Sequence, residues 1–145
     1  MVQRCARLLH PFATGLFVAC GVIQVFLAGL GVFDDPRAFV THREFGYLFG
    51  WLTLVMLMLA LVGREPRRVT GLSALLLVQF ALQSAFVAVR ADIPAVAALH
   101  PLNGFTILLV GTLLTRMSWA VRRDASAPAP VRTATAHSFA SPEAG

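Results

Sequence analysis

Four apolar runs, each close to the length that a lipid bilayer requires, constrain the fold of this chain more than any other feature. A helix that crosses the hydrocarbon core of a membrane needs about 20 consecutive apolar residues. The runs predict membrane spans at about residues 12–33, 42–62, 69–89 and 100–120. A content of 57% hydrophobic and 13% charged residues, with a mean hydropathy of +0.74, excludes an ordinary soluble domain. The chain is therefore predicted to be an all-α integral membrane protein.

Short connections between the spans favour a four-helix up-down-up-down bundle in which consecutive helices are antiparallel neighbours. Residues 1–123 form the predicted membrane domain. Residues 124–145 are rich in Ala, Pro, Ser and Thr and lack hydrophobic periodicity, which predicts a disordered cytoplasmic tail. A secretory signal is the alternative for the first run, but signal cores span only about 7–15 residues. The first run is accordingly interpreted as a retained helix.

The distribution of basic residues predicts the orientation of the bundle in the cell membrane. All twelve are arginines, and a four-span arrangement puts nine of them on the side of the two termini and three on the other. Such an excess of positive charge is typical of the cytoplasmic side. Both termini are therefore predicted to be cytoplasmic. The net charge of +5 reflects this orientation, and it does not indicate a nucleic-acid partner.

A short pattern occurs twice, once at the start of the second span and once at the start of the fourth. It consists of an Asp, a Pro, a His and a Gly, and its copies are Asp34, Pro36, His42 and Gly46, and, 58 residues later, Asp92, Pro94, His100 and Gly104. Each Asp is expected to cap a helix, and each Pro to occupy its first position. Since an even number of spans separates the copies, the repeat divides the bundle into two tandem helix pairs of the same orientation.

The repeat predicts that His42 and His100 lie at a similar depth on diagonally opposed helices, about 9 Å below the outer end. Two imidazoles that face the axis of a bundle from opposite sides form the axial ligand set of a six-coordinate b-type haem. The two histidines are therefore the candidate ligands of a haem iron.

Further residues around the histidines fit a haem site. Gly46 and Gly104 lie one helical turn beyond each histidine on the same face. A missing side chain there would leave room for the edge of a porphyrin. Arg43 and Arg90 lie near the outer rim, where a guanidinium could pair with a haem propionate.

A structural role for the same residues is the alternative. Small residues commonly pack membrane helices against one another, and polar side chains hydrogen-bond between helices. Gln24, Gln79 and Gln83 are expected to make such bonds near the middle of the membrane. Pro101 leaves the position of His100 open, because it either kinks a helix or marks a helix start close to that histidine.

The sequence around each histidine also carries a resemblance. Both segments look like an uncharacterised four-helix membrane protein family of actinobacteria: Val40-Thr41-His42-Arg43 followed by Gly46, and Leu99-His100-Pro101-Leu102-Asn103-Gly104. That resemblance covers about residues 10–120 and implies no activity. More distantly, the chain resembles one half of haem A synthase, which implies that His42 and His100 are axial haem ligands. Phe39 stands where that family has a Glu, and the family's extracytoplasmic cysteine pair is missing, so hydroxylation chemistry is not implied.

These observations predict a small membrane protein that binds one haem b and transfers electrons, or senses redox state, with a membrane redox partner. Bis-His ligation fills both axial positions of the iron, which argues against independent catalytic activity. The alternative is a non-catalytic membrane assembly or interaction protein with structural histidines. The bilayer is the partner that the composition indicates in either case.

Overall fold

The computed structural model of the protein describes the backbone of residues 1–126 and the side chains of residues 1–124. These residues form five helices: α1 (Val2–Phe33), α2 (Ala38–Gly63), α3 (Arg67–Ala88), α4 (Pro94–Ala97) and α5 (Leu99–Ser126). Within residues 1–126, four helical stretches are long and apolar enough to cross a membrane, the fourth being α4 together with α5. The predicted all-α architecture with four apolar spans is confirmed. The start of the predicted tail, residues 124–126, continues α5, and residues 127–145 lie outside the described part.

Each long helix packs against two neighbours. α1 contacts α2 and α5, and α3 contacts the same two helices, whereas no backbone contact joins the diagonal pairs within the described residues. Neighbours run antiparallel, because Arg7 near the start of α1 reaches Gly63 at the end of α2, and Gln24 reaches His42 near the start of α2. We call the end of the bundle that carries His42 the histidine end.

The middle of the bundle is filled by apolar side chains, among which aromatic rings dominate. Phe17 of α1 and Phe49 of α2 are buried, with ring centroids 5.5 Å apart, and Phe80 of α3 lies edge-on to Phe49 at 5.1 Å. Many large apolar side chains point outward on every long helix. Water-soluble monomers rarely expose apolar patches above a few hundred Å², so this surface suits a lipid environment.

Contacts in the two halves correspond after an exchange of the halves. Gly21 of α1 receives Leu108 of α5, whose Cδ2 would lie 2.6 Å from an added Cβ. Gly50 of α2 receives the ring of Phe80, whose Cδ1 would lie 3.0 Å from an added Cβ. Gly21 and Phe80 occupy equivalent positions of α1 and α3, and Gly50 and Leu108 occupy equivalent positions of α2 and α5. The two interfaces are therefore related by an approximate two-fold axis along the bundle.

The start of α2 differs from the prediction. The helix begins at Ala38 and not at Pro36. Asp35 does not cap α2 but accepts hydrogen bonds from the backbone N–H and the Nε of Arg37, at 2.9 and 2.8 Å. This local turn satisfies the carboxylate before the helix starts. In the second copy of the pattern, Pro94 does stand in the first turn of α4, as predicted.

The start of α5 settles the position of His100. α4 ends at Ala97 and α5 begins at Leu99, so that His100 and Pro101 lie in the first turn of α5. The N–H groups of a first helical turn have no partner within the helix, so proline removes no hydrogen bond there. Of the two possibilities for Pro101, it therefore marks a helix start and does not kink a helix interior.

Candidate functional site

His42 and His100 meet across the axis of the bundle. Their ring centroids are 6.2 Å apart, the ring planes are inclined by 67°, and both side chains are half-buried. They come from α2 and α5, a diagonal pair. A metal ion bound to one nitrogen of each ring, at about 2 Å per bond, would hold the two nitrogens about 4 Å apart. Because each ring centroid lies behind its nitrogen, the centroid distance of the pair is compatible with such an ion.

Hydrogen bonds fix which nitrogen of each ring is available. Nδ1 of His42 lies 3.1 Å from the backbone oxygen of Gln24, and Nδ1 of His100 lies 3.3 Å from the backbone oxygen of Gln83. A carbonyl oxygen only accepts, so Nδ1 must carry the proton in both rings. In the neutral imidazole Nε2 is then an unprotonated lone-pair donor, and neither Nε2 has a hydrogen-bond partner among the described residues. Metal-binding histidines typically have this arrangement.

Gln24 and His42 hold each other by two reciprocal bonds between α1 and α2. While the His42 ring donates to the Gln24 carbonyl, Nε2 of Gln24 donates to the backbone oxygen of His42 at 2.7 Å. Gly46 makes this approach possible, because an added Cβ would lie 2.8 Å from the Gln24 amide nitrogen. Oε1 of Gln24 is buried and has no hydrogen-bond partner in the described part of the chain.

The second half repeats the arrangement with a larger polar network. An added Cβ on Gly104 would lie 3.3 Å from Nε2 of Gln83, so this glycine also gives room to a glutamine amide. Nδ2 of Asn103 donates to Oε1 of Gln83 at 2.9 Å and to the backbone oxygen of Gln79 at 2.8 Å. Nε2 of Gln79 donates to the hydroxyl of Thr106 at 3.0 Å. The expected interhelical bonds of the glutamines are therefore present.

The structure thus adds the two glutamine backbones to the predicted site. Sequence reasoning placed the glutamines nearby but did not join them to the histidines. A signal existed, since a Gln precedes each His by nearly the same interval, 18 residues in the first half and 17 in the second. The role predicted for Gly46 and Gly104, contact with a porphyrin edge, stays a prediction.

The predicted arginines lie at the histidine end, on the surface. Arg43 forms an exposed ion pair with Glu44 at 2.8 Å, and Nη1 of Arg90 donates to the backbone oxygen of Val87 at 3.1 Å. An exposed ion pair contributes only about 0–1 kcal/mol, so Arg43 is not firmly held by Glu44. Phe39 lies edge-on to the His42 ring, at a centroid distance of 6.2 Å. It covers the ring on the side of α1, where it packs on Gly31.

A third histidine lies in a separate polar layer, toward the opposite end of the bundle. His10 is fully buried, and its Nε2 is 3.4 Å from the hydroxyl of Ser73. Ser73 in turn donates to the backbone oxygen of Val69 at 3.0 Å. Among the described residues, no group of three or more His, Cys, Asp or Glu side chains is placed to hold a metal ion. A tetrahedral zinc site of four protein ligands is therefore not formed by residues 1–124.

Comparison with known proteins gives one match. Residues 24–89 match a family of unknown function (DUF6220). This region contains Gln24, His42, Gly46 and Gln83, and it ends before His100. No curated protein and no solved structure matches the chain. The predicted likeness to an uncharacterised family is therefore supported in general terms, and the likeness to haem A synthase is not supported.

Proposed function

We propose that this protein is a multi-pass membrane protein that binds one haem b and serves in electron transfer or redox sensing. The observation that supports it best is the pair formed by His42 and His100, with ring centroids 6.2 Å apart on two diagonal helices. A haem supplies a one-electron change of its iron, with a potential that the axial ligands and their surroundings tune.

The donor set fits a haem iron. Two neutral imidazoles present Nε2 without a competing hydrogen bond among residues 1–124, and each ring is held by its Nδ1–H. A hydrogen bond from Nδ1–H to a carbonyl raises the basicity of the other ring nitrogen and prevents the ring from turning. The backbone oxygens of Gln24 and Gln83 would therefore orient both ligands before any cofactor binds.

Other residues would complete the site from the rim. The guanidinium groups of Arg43 and Arg90 lie at the histidine end and would bind carboxylate groups of the cofactor. Phe39 would shield the His42 ring from the bilayer, which keeps the surroundings apolar. By the distribution of arginines, the histidine end would face away from the cytoplasm, and both termini would be cytoplasmic. Electrons would then be exchanged near the outer surface, with a membrane redox partner.

The test is a reduced-minus-oxidised absorption spectrum of the full chain, expressed with ample haem precursor and purified in mild detergent. The proposal predicts one bis-imidazole haem per chain, and loss of its bands in His42→Ala and in His100→Ala. His137→Ala, outside the described residues, is the matched control and should keep the bands. A folded, helical protein that stays colourless after addition of haemin would refute the proposal.

A structural role of the histidines is the second candidate. The reciprocal bonds between Gln24 and His42 favour it, because they join α1 to α2 without any cofactor. On this view the chain is a non-catalytic assembly or interaction protein. It predicts a colourless protein in which His42→Ala lowers the free energy of unfolding by about 0.6 kcal/mol for each interhelical bond removed.

A further inference from the structure

A groove of about 410 Å³ lies between α2 and α3 on the outer surface of the bundle. Its walls include Tyr47, Trp51 and Leu54 of α2 and Leu77, Phe80 and Ser84 of α3. The volume falls within the range of about 300–1,000 Å³ that is usual for small-molecule sites. Since the surrounding surface is apolar, a ligand would reach this groove from the bilayer.

Three polar groups in this groove have no hydrogen-bond partner within the described part of the chain. They are the Tyr47 hydroxyl, the Trp51 indole N–H and the Ser84 hydroxyl, and the side chains of Tyr47 and Trp51 are 58% and 69% exposed. Serines in membrane helices usually donate to the carbonyl four residues earlier, as Ser73 and Ser118 do here. Ser84 keeps its hydroxyl free for another partner.

The depth of these groups makes their lack of partners costly. Trp51 lies 13 residues after Ala38 and 12 residues before Gly63, at the midpoint of α2. Trp and Tyr in membrane helices normally lie at the two interfaces, where water and headgroups satisfy them. At the middle of a bilayer no water is present, and an unsatisfied polar group costs several kcal/mol. A partner with hydrogen-bond acceptors at this depth would remove that cost.

The three groups surround one position. The contact between Gly50 and Phe80 sets the register of the antiparallel pair α2 and α3. Tyr47 is three residues from Gly50 and Ser84 is four residues from Phe80, both toward the histidine end, so the two hydroxyls flank the groove at one level. Trp51 lies one helical turn beyond Tyr47 on the same face. A flat molecule between α2 and α3 would meet all three.

We infer that this groove binds the ring of a lipid-soluble quinone. The indole N–H only donates, and the two hydroxyls can donate, so the ligand must offer acceptors. A quinone ring is flat, carries carbonyl acceptors and dissolves in the bilayer, and aromatic side chains such as Phe80 and Trp51 suit a planar ring. Phospholipid headgroups lie too far from the middle of the membrane. The site is independent of haem, although a quinone would be a suitable redox partner for one.

The experiment uses the full chain as purified, in nanodiscs, with Trp119→Phe so that Trp51 is the only tryptophan. Menadione, a quinone without a long tail, is titrated while Trp51 fluorescence is recorded. Saturable quenching is expected. Tyr47→Phe and Ser84→Ala should each raise the Kd by about 2- to 12-fold, as for the loss of one hydrogen bond. Thr112→Val is the matched control, because its hydroxyl is exposed on α5 and bonded to the Leu108 carbonyl.

Two outcomes would overturn the inference. Quenching that rises linearly without saturation, and equally in all variants, would indicate partition of the quinone into lipid. A dimer that protects Trp51 from quenching and dissociates in Ser84→Leu would show that a second copy of the chain fills the groove. The same preparation gives the absorption spectrum described above. A colourless protein with saturable quenching would therefore refute the haem proposal alone.

Discussion

Gly50→Ala tests the packing between α2 and α3. The ring of Phe80 lies directly over Gly50, so that an added Cβ would overlap the ring edge, with Cδ1 at 3.0 Å and Cζ at 3.1 Å. Carbon atoms in favourable contact lie about 3.5–4.0 Å apart. The substitution therefore requires the ring, or the whole of α3, to move away from α2.

The magnitude follows from what holds the ring. Phe80 packs against Phe49 at 5.1 Å and Phe17 at 6.4 Å, so a displaced ring loses aromatic contacts on its other side. Overpacking of this kind costs about 1–3 kcal/mol. Replacing glycine by alanine inside a helix recovers roughly 0.5–1 kcal/mol. The free energy of unfolding should fall by about 1–2 kcal/mol.

The assay is reversible unfolding in mixed micelles of increasing SDS content, followed by far-UV circular dichroism. Gly15→Ala is the matched control, because an added Cβ there meets nothing within 4 Å in the described structure. It should leave stability unchanged or raise it by up to about 1 kcal/mol. In a Phe80→Leu background, Gly50→Ala should cost less than in the wild type, since the two positions are in contact. Equal stability of Gly50→Ala and Gly15→Ala would contradict this account of the interface.

Three further predictions concern the turn between α2 and α3. Arg64 is the one described residue other than glycine with a positive φ, 53°, so Arg64→Gly should stabilise the protein by about 1 kcal/mol in the same SDS assay. Arg7 donates to the backbone oxygens of Gly63 at 2.6 Å and Arg64 at 3.2 Å, and Arg7→Gln should cost about 0.3–1 kcal/mol by removing positive charge from the end of α2. Burial raises the pKa of the Glu65 carboxyl, although Arg7 nearby opposes this shift. The folded state thus favours protonated Glu65, and its contribution to stability is present below the ordinary pKa of glutamate and is lost as the pH rises through the raised pKa. Stability measured against pH should show this loss in the wild type and not in Glu65→Gln.

The sequence predicts the spans and the proximity of the histidines for physical reasons. Hydropathy over a window of bilayer length is a strong signal, and it fixes the number of helices. Once four antiparallel helices are given, the repeat puts His42 and His100 at one level of two diagonal helices. Their meeting depends on topology and register, which a sequence can carry.

Partners of the histidines could not be predicted in the same way. Hydrogen bonds between Gln24 and His42 depend on how α1 is rotated about its own axis. A helix that is apolar all round carries little information about which face turns inward. The left-handed residue of the α2–α3 turn was equally hidden. Glycine is the usual residue at that position, yet Arg64 adopts it directly after Gly63.

The approximate two-fold axis has a consequence for how the histidine pair is assembled. Each helical hairpin contributes one histidine, one glutamine backbone oxygen and one glycine, and neither hairpin contains the pair. Two separate copies of a single hairpin, associated about the same axis, would generate an equivalent pair. The chain is in this sense a covalently fused dimer, in which the turn at Pro66 acts as the tether. Fusion freed the two halves to diverge, and the Asn103 network of the second half, which the first half lacks within the described residues, records that divergence.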